Sequence, residues 1–133
     1  MTPGKRHGHA AASLHHNGPA SAELATRLRR QLIEWARNEG VPADLTYDIG
    51  LASYEAMVNS VTHAYPSGTV GPLELHARMD TGTVVVTVAD RGRWGDPATG
   101  RGLALIHKLS DEAEVVRGDY GTTVRMTWPH QAA

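Results

Sequence analysis

Cysteine and phenylalanine are both absent from the 133-residue sequence. Without cysteine the chain can form neither a disulfide framework nor a thiolate metal site, which fits a reducing compartment and makes the cytoplasm the expected location. Without phenylalanine, and with an aromatic fraction of 5%, the core is expected to consist of Leu, Val, Ile, Ala and Met side chains. Both absences favour an ordinary aliphatic domain.

The sequence also lacks an excess of one charge and a long apolar run. Its formal net charge is −1, with Lys and Arg scattered along the chain. Such a chain is not expected to hold a nucleic-acid backbone, because that binding needs clustered positive charge. No window approaches the ~18 apolar residues of a membrane span, and the N-terminus has no secretory signal. We therefore expect a soluble protein with no direct nucleic-acid partner and no membrane partner.

The length of the chain fits a single domain with an ordinary core. Residues 1–9 mix Pro, Gly and basic residues without periodicity, so we expect a flexible leader there, part of which can derive from an expression vector. The domain is expected to span residues 10–129, and residues 130–133 are expected to form a tail.

Secondary-structure signals predict an α+β domain, in which a mostly antiparallel sheet carries helices on one face. The clearest helix follows Ser21, a good N-cap, and stops at Gly40. The run VVV (84–86) indicates a strand that is buried on both faces, hence a central strand. The predicted elements are an edge strand over 10–16 that ends in a turn over 17–21, helices over 22–40 and 44–65, strands over 73–79 and 83–90, a helix over 103–111, and strands over 112–118 and 121–128.

Polar residues recur at every fourth position in YEAMVNSVTHAY (54–65), within the second predicted helix. Glu55, Asn59 and His63 form this column, since side chains four apart stack on nearly one face of a helix. The column either faces water or faces a site. On these residues alone, a solvated helix face is the simpler interpretation.

Two short glycine-containing segments follow the column, namely DRG (90–92) after the central strand and GRG (100–102) before the third helix. In this order and spacing, the three features resemble the N, G1 and G2 boxes of the GHKL, or Bergerat-fold, histidine-kinase-like ATPases. The stretches EAMVNSVTHAY, ADRGRW, GRGLALIHKLSDE and GTTVRM resemble the anti-sigma-factor serine kinases of the RsbW/SpoIIAB type, over roughly residues 20–128. The resemblance implies a Bergerat-type two-layer sandwich with a mostly antiparallel mixed sheet.

The resemblance also gives the polar column a chemical role. Asn59 becomes the candidate Mg²⁺ ligand, because a neutral amide oxygen suits a cation that keeps waters and takes further ligands from phosphates. Glu55, one turn earlier, becomes the candidate general base that accepts the proton of an attacking hydroxyl. The role of His63 stays open between a phosphate contact and a favourable place near the helix C-terminus.

The remaining site residues implied by the resemblance surround the nucleotide. Asp90 would accept a hydrogen bond from the exocyclic amine of adenine, and Gly92 would let the base approach the backbone. Thr122, after Gly121, matches the Gly-Thr pair that the family places under the adenine, although a β-branched residue in a strand needs no such role. The residues implied at the phosphates, on a helix N-terminus with unpaired donors, are Gly100, Arg101, Gly102 and Leu103. A strand-ending turn at 90–92 and a water-facing Arg101 remain the alternatives.

The resemblance implies ATP and Mg²⁺ as cofactors, and two exclusive protein partners. These are a sigma factor, which the protein sequesters, and an anti-anti-sigma protein of STAS type, whose serine it phosphorylates. A homodimer is compatible with this family. On the first helix, Arg27, Arg29 and Arg30 are candidates to meet the serine or its phosphate, or else they only solubilise the helix.

The sequence departs from the family pattern in RWGDPAT (93–99), where other members carry a longer lid over the nucleotide. It is closer here to actinobacterial multidomain phosphatase–kinase proteins. A short lid would cover the triphosphate poorly. A second interpretation therefore stays open: a non-catalytic partner-binding module with weak or no ATP turnover, or one domain of a multidomain phosphatase–kinase regulator. The presence of both Glu55 and Asn59 favours the kinase.

Overall fold

A computed structural model of the chain describes residues 13–66, 69–92 and 100–130, with residues 100–102 described by their backbone alone. The predicted leader (1–9) and the short segment 93–99 lie outside the described residues. In chain order, the described elements are β1 (Ser13–Pro19), α1 (Ala22–Asn38), α2 (Ala43–His63), β2 (Pro72–Met79), β3 (Thr83–Asp90), α3 (Gly100–Leu109), β4 (Glu112–Gly118) and β5 (Gly121–Pro129).

The strands form one sheet in the order β1-β2-β3-β5-β4, and each neighbouring pair is antiparallel. The strand with the VVV run, β3, lies at the centre, as its two-sided apolar pattern predicted. The helices cover one face of the sheet and share a single core with it. The α+β sandwich is thus confirmed, although no parallel pair of a mixed sheet occurs within the described residues.

The first strand ends three residues later than predicted. A turn was expected from Asn17, but β1 continues to Pro19, where Asn17 pairs with Glu74 and Pro19 with Pro72. A strand at the sheet edge uses only one side of its backbone for pairing, so a proline and a glycine are tolerated there. The predicted turn was wrong because pairing with β2 outweighed the local turn signal.

The two long helices begin and end close to their predicted limits. Ser21 caps α1 through its side chain, which accepts a hydrogen bond from the Leu24 N–H at 3.0 Å. The buried face of α2 carries a small residue at every fourth position. This row, whose small side chains let the helix approach the sheet closely, consists of Ala52, Ala56, Ser60 and Ala64.

The core is less purely aliphatic than expected, because Trp35 and Trp128 are both buried in it. The Trp128 indole N–H donates to the Leu109 carbonyl at 2.8 Å and so ties the C-terminal end of α3 to β5. His130, at the predicted start of the tail, is also buried, and its backbone N–H donates to the Gly82 carbonyl at 2.7 Å. The predicted domain limits themselves stay a prediction.

None of the three helices described above combines the length and the apolar composition that crossing a bilayer would require.

Candidate functional site

Asp90 ends the central strand and lies under α2, with 6% of its surface exposed. Its Oδ2 atom accepts a hydrogen bond from the Ser60 hydroxyl at 2.6 Å, and its Oδ1 atom accepts one from the Gly92 N–H at 3.0 Å. Each of these two bonds limits the orientation of the carboxylate. Each carboxylate oxygen has more than one acceptor position, so a carboxylate can accept bonds from several donors at once.

The turn after Asp90 is packed against two neighbouring elements. A Cβ atom at Gly92 would lie 1.8 Å from the Ala64 carbonyl oxygen, at the C-terminal end of α2. A Cβ atom at Gly121 would lie 1.9 Å from the Asp90 carbonyl oxygen, and Gly121 also has a φ of 142°. Glycine at position 92 therefore has a structural explanation that the sequence did not indicate, because the turn fits below α2 only if residue 92 has no side chain.

Thr122 lies directly opposite Asp90 in the pairing of β3 with β5. Side chains of such a pair lie on the same face of the sheet, with Cβ atoms about 5 Å apart. Thr122 is 2% exposed, so it lies on the helix-covered face with Asp90. The structure thus brings together Asp90, Gly92 and Thr122, which the sequence placed around the adenine; their binding role stays a prediction.

The polar column on α2 runs from partly buried to exposed. Glu55 and Asn59 are each partly buried, and His63 is exposed. The Asn59 side-chain nitrogen is fully buried and has no hydrogen-bond partner among the described residues. Buried polar atoms are nearly always paired, so this amide is in a place where a further group is expected. The polar column is therefore not simply a solvent-exposed face of the helix.

The third helix begins at Gly100, so GRG opens it as predicted. The helix packs against α2, with Ile106 in the core and Leu103 partly buried against it. The side chain of Arg101 lies outside the described residues, so its direction stays a prediction. The backbone of the first turn supplies the unpaired N–H groups that a helix N-terminus offers to an anion.

Two residues that bond within this site were missed by the sequence analysis, namely Ser60 and Tyr65. Ser60 contacts Asp90 as described above. The Tyr65 hydroxyl donates to the Pro72 carbonyl at 2.5 Å and accepts from the Arg91 N–H at 2.9 Å. Ser60 could have been found from its position, because it is the polar member of a row of alanines four residues apart; no local pattern identifies Tyr65.

A cavity of about 210 Å³ opens at the same edge of the sheet, on the face away from the helices. No residue of α2 lines it, but Asp90 does, so the cavity adjoins the strand end that carries the cluster around Asp90 and Ser60. Its lining residues come from three neighbouring strands and two turns, and include Asn17, Glu74, Ala89, Arg91 and Tyr120.

Comparison with known families and proteins agrees with this arrangement. The model of the family described as histidine kinase-like ATPase domain matches residues 18–128. Curated relatives named serine-protein kinase RsbW, from Staphylococcus aureus strains JH9 and Newman, are each 28% identical over 130 residues, which covers 82% of this chain and 81% of theirs.

Two solved structures are also similar. The RsbU and RsbW domains of Rv1364c from Mycobacterium tuberculosis match with a TM-score of 0.75 and 32% identity, over 88% of this chain. This chain spans only 32% of the length of that one. The second is the histidine kinase domain of the blue-light activated histidine kinase from Erythrobacter litoralis EL346, with a TM-score of 0.60 and 24% identity. The match covers 81% of this chain and 60% of that one, and it shows a likeness of fold alone.

Proposed function

The chain belongs to the histidine kinase-like ATPase domain family, and from this premise we propose that it is an ATP-dependent protein serine kinase and anti-sigma factor. It binds Mg-ATP between α2, the end of β3 and the start of α3. It transfers the γ-phosphoryl group to a serine of a STAS-type anti-anti-sigma protein, and it sequesters a sigma factor when that partner is phosphorylated. The likeness to curated serine-protein kinases named RsbW supports the proposal.

The observation that carries the proposal is the buried Asp90 carboxylate, held at two points by Ser60 and Gly92. An ionised carboxylate only accepts hydrogen bonds, and so it suits the exocyclic amine of adenine, which is a donor. Guanine presents a carbonyl oxygen at the corresponding place, and two acceptors facing each other in a buried site are unfavourable. The site is therefore expected to prefer ATP to GTP.

The residues on α2 fit a magnesium–triphosphate group. Asn59 would offer its amide oxygen to the ion. Its buried nitrogen, which has no partner among the described residues, would donate to a phosphate oxygen. The described residues contain no cluster of three His, Cys, Asp or Glu side chains that could hold a metal. This fits an ion that takes most of its ligands from phosphates and water. Bound Mg²⁺ would neutralise phosphate charge during transfer.

Phosphoryl transfer then needs one proton acceptor and one set of anion donors from the chain. The Glu55 carboxylate takes the proton of the serine hydroxyl as that oxygen bonds to the γ-phosphorus, while the bond from the γ-phosphorus to the β–γ bridging oxygen breaks and ADP leaves. The N–H groups of the first turn of α3 stabilise negative charge on the phosphates. Gly100 and Gly102 leave those donors accessible.

The incoming serine is expected to meet α1 beside α2. The Arg29 guanidinium carbon lies 5.2 Å from the centre of the Tyr54 ring, and Tyr54 directly precedes Glu55. This cation–π contact holds Arg29 against α2 at the residue before the proposed base, whereas Arg27 and Arg30 are exposed. Of the three arginines, Arg29 is the one we propose to orient the serine or its phosphate.

The alternative function is a partner-binding module of the same fold that turns over little or no ATP. The shortness of segment 93–99 favours it, since a short lid encloses a triphosphate poorly. Such a module would bind its partner without modifying it. This chain could also serve as one domain of a larger phosphatase–kinase regulator.

One experiment separates the two functions. The protein is incubated with Mg-ATP and with each STAS-type protein encoded in the same genome, and phosphorylated serine is sought by mass spectrometry. A kinase phosphorylates one of these proteins and lowers the affinity of its own complex with it. A docking module forms the complex and leaves every serine unmodified, which would refute the proposed transfer.

A further inference from the structure

Tyr65 lies two residues beyond the end of α2, and its hydroxyl joins two other parts of the chain. It donates to the carbonyl of Pro72, at the start of β2, and accepts from the N–H of Arg91, after the end of β3. Arg91 stands between Asp90 and Gly92, the two residues proposed to meet the base. A single hydroxyl thus connects α2, β2 and the turn of the proposed adenine site.

The surroundings of the Tyr65 ring are closely fitted to it. A Cβ atom at Gly71 would lie 2.2 Å from the ring atom Cε1 of Tyr65, so residue 71 can carry no side chain while the ring stays in place. The ring also packs against the core. Burial raises the pKa of Tyr65, so the phenol keeps its proton and can donate to Pro72 while it accepts from Arg91.

Both peptide groups of the turn after Asp90 are held by side chains. The N–H of Arg91 belongs to the peptide that joins it to Asp90, and it donates to Tyr65. The N–H of Gly92 belongs to the next peptide, and it donates to the Asp90 carboxylate. Without the tyrosine hydroxyl, the first peptide would have no side-chain acceptor. That peptide could rotate, and the Asp90 side chain beside it could then change direction within the limits that Ser60 and Gly92 leave.

We propose that Tyr65 is a positioning residue of the nucleotide site: through the Arg91 N–H it sets the direction of the Asp90 carboxylate, and hence the affinity for adenine, without touching the nucleotide. This inference rests on the proposed function, because it assumes that Asp90 contacts the base. A merely structural tyrosine would support the fold and leave the base preference unchanged.

The test compares Tyr65→Phe with the control Tyr47→Phe, whose residue lies on α2 and is 59% exposed. Phenylalanine keeps the ring and removes only the hydroxyl. Dissociation constants are measured by calorimetry for Mg-ATP, Mg-GTP and magnesium tripolyphosphate, which has no base. Tyr65→Phe is expected to weaken Mg-ATP binding by roughly tenfold, the effect of about one hydrogen bond. Tripolyphosphate affinity should change less than about twofold, and the preference for ATP over GTP should shrink. Tyr47→Phe should change none of the three.

Equal losses for Mg-ATP and tripolyphosphate, or an unchanged ATP-to-GTP ratio, would overturn the positioning role. Gly71→Ala is a second variant, which keeps the hydroxyl but displaces the ring, and it should lower ATP affinity selectively too. Hydrogen exchange at the Arg91 amide is measured without nucleotide, and Tyr65→Phe should accelerate it. Unchanged exchange would contradict the bond itself. A parent protein that binds no nucleotide would instead contradict the proposed function, so the two failures are distinguishable.

Discussion

Replacing Ser60 by alanine removes the hydroxyl that donates to the Asp90 carboxylate at 2.6 Å. The bond is buried and its acceptor is charged, and hydrogen bonds of that kind contribute about 1.5–3 kcal/mol to stability. The Gly92 N–H still donates to the other carboxylate oxygen in this variant. Ser60→Ala is therefore expected to lower the free energy of unfolding by about 2 kcal/mol.

Ser53→Ala is the matched control, because Ser53 lies on the same helix, is fully buried, and has an Oγ atom with no partner among the described residues. Removing an unpaired buried hydroxyl costs no hydrogen bond, so this variant should be neutral or slightly more stable. Urea unfolding of both variants, with equal m-values, measures the difference. Equal destabilisation of the two variants would refute the assigned bond between Ser60 and Asp90.

Three further changes test other parts of the site. Asp90→Asn should reduce the thermal stabilisation by Mg-ATP, because the amide presents a donor to the adenine amine. For the parent this stabilisation is about 2.7 kcal/mol at a ligand concentration of 100 times Kd, and equal stabilisation of the variant in a thermal-shift assay would disprove the adenine contact. Asn59→Ala should weaken both nucleotide binding and phosphoryl transfer, and should raise the Mg²⁺ concentration needed for binding in a titration. Gly121→Ala should lower the free energy of unfolding by more than about 2 kcal/mol in urea unfolding, because Gly121 has a φ of 142° and a Cβ atom there would meet the Asp90 carbonyl. Gly118 has open space around it, so Gly118→Ala should lower it by less than about 1 kcal/mol.

The elements whose signals are local could be predicted from the sequence. Helix α1 has its N-cap at Ser21 and an apolar stripe within one continuous segment, and it ends where these signals end. The β2–β3 hairpin is likewise specified by adjacent residues, with its turn over 80–82. The end of strand β1 was predicted too early, because its last residues are held by β2, more than fifty residues later.

The contacts of the site could be predicted only in part. The sequence placed Asp90 at a strand end and Thr122 at a strand start, but their direct pairing depends on β5 lying between β3 and β4. The bonds of Ser60 to Asp90 and of Tyr65 to Arg91 join residues 30 and 26 positions apart. Such contacts depend on how α2 crosses the sheet, and no periodic pattern encodes that crossing angle.

The most direct test of the proposed kinase is the amount of phosphoserine formed on its STAS-type partner by the parent and by Glu55→Gln. The variant keeps the size of the side chain and removes its basicity. It should bind Mg-ATP within about threefold of the parent and transfer phosphate roughly 10²–10⁴-fold more slowly. Glu114→Gln, on the exposed strand β4, should behave as the parent. A folded Glu55→Gln protein that phosphorylates the partner at the parent rate would contradict the account, since the polar column on α2 would then have no part in the chemistry.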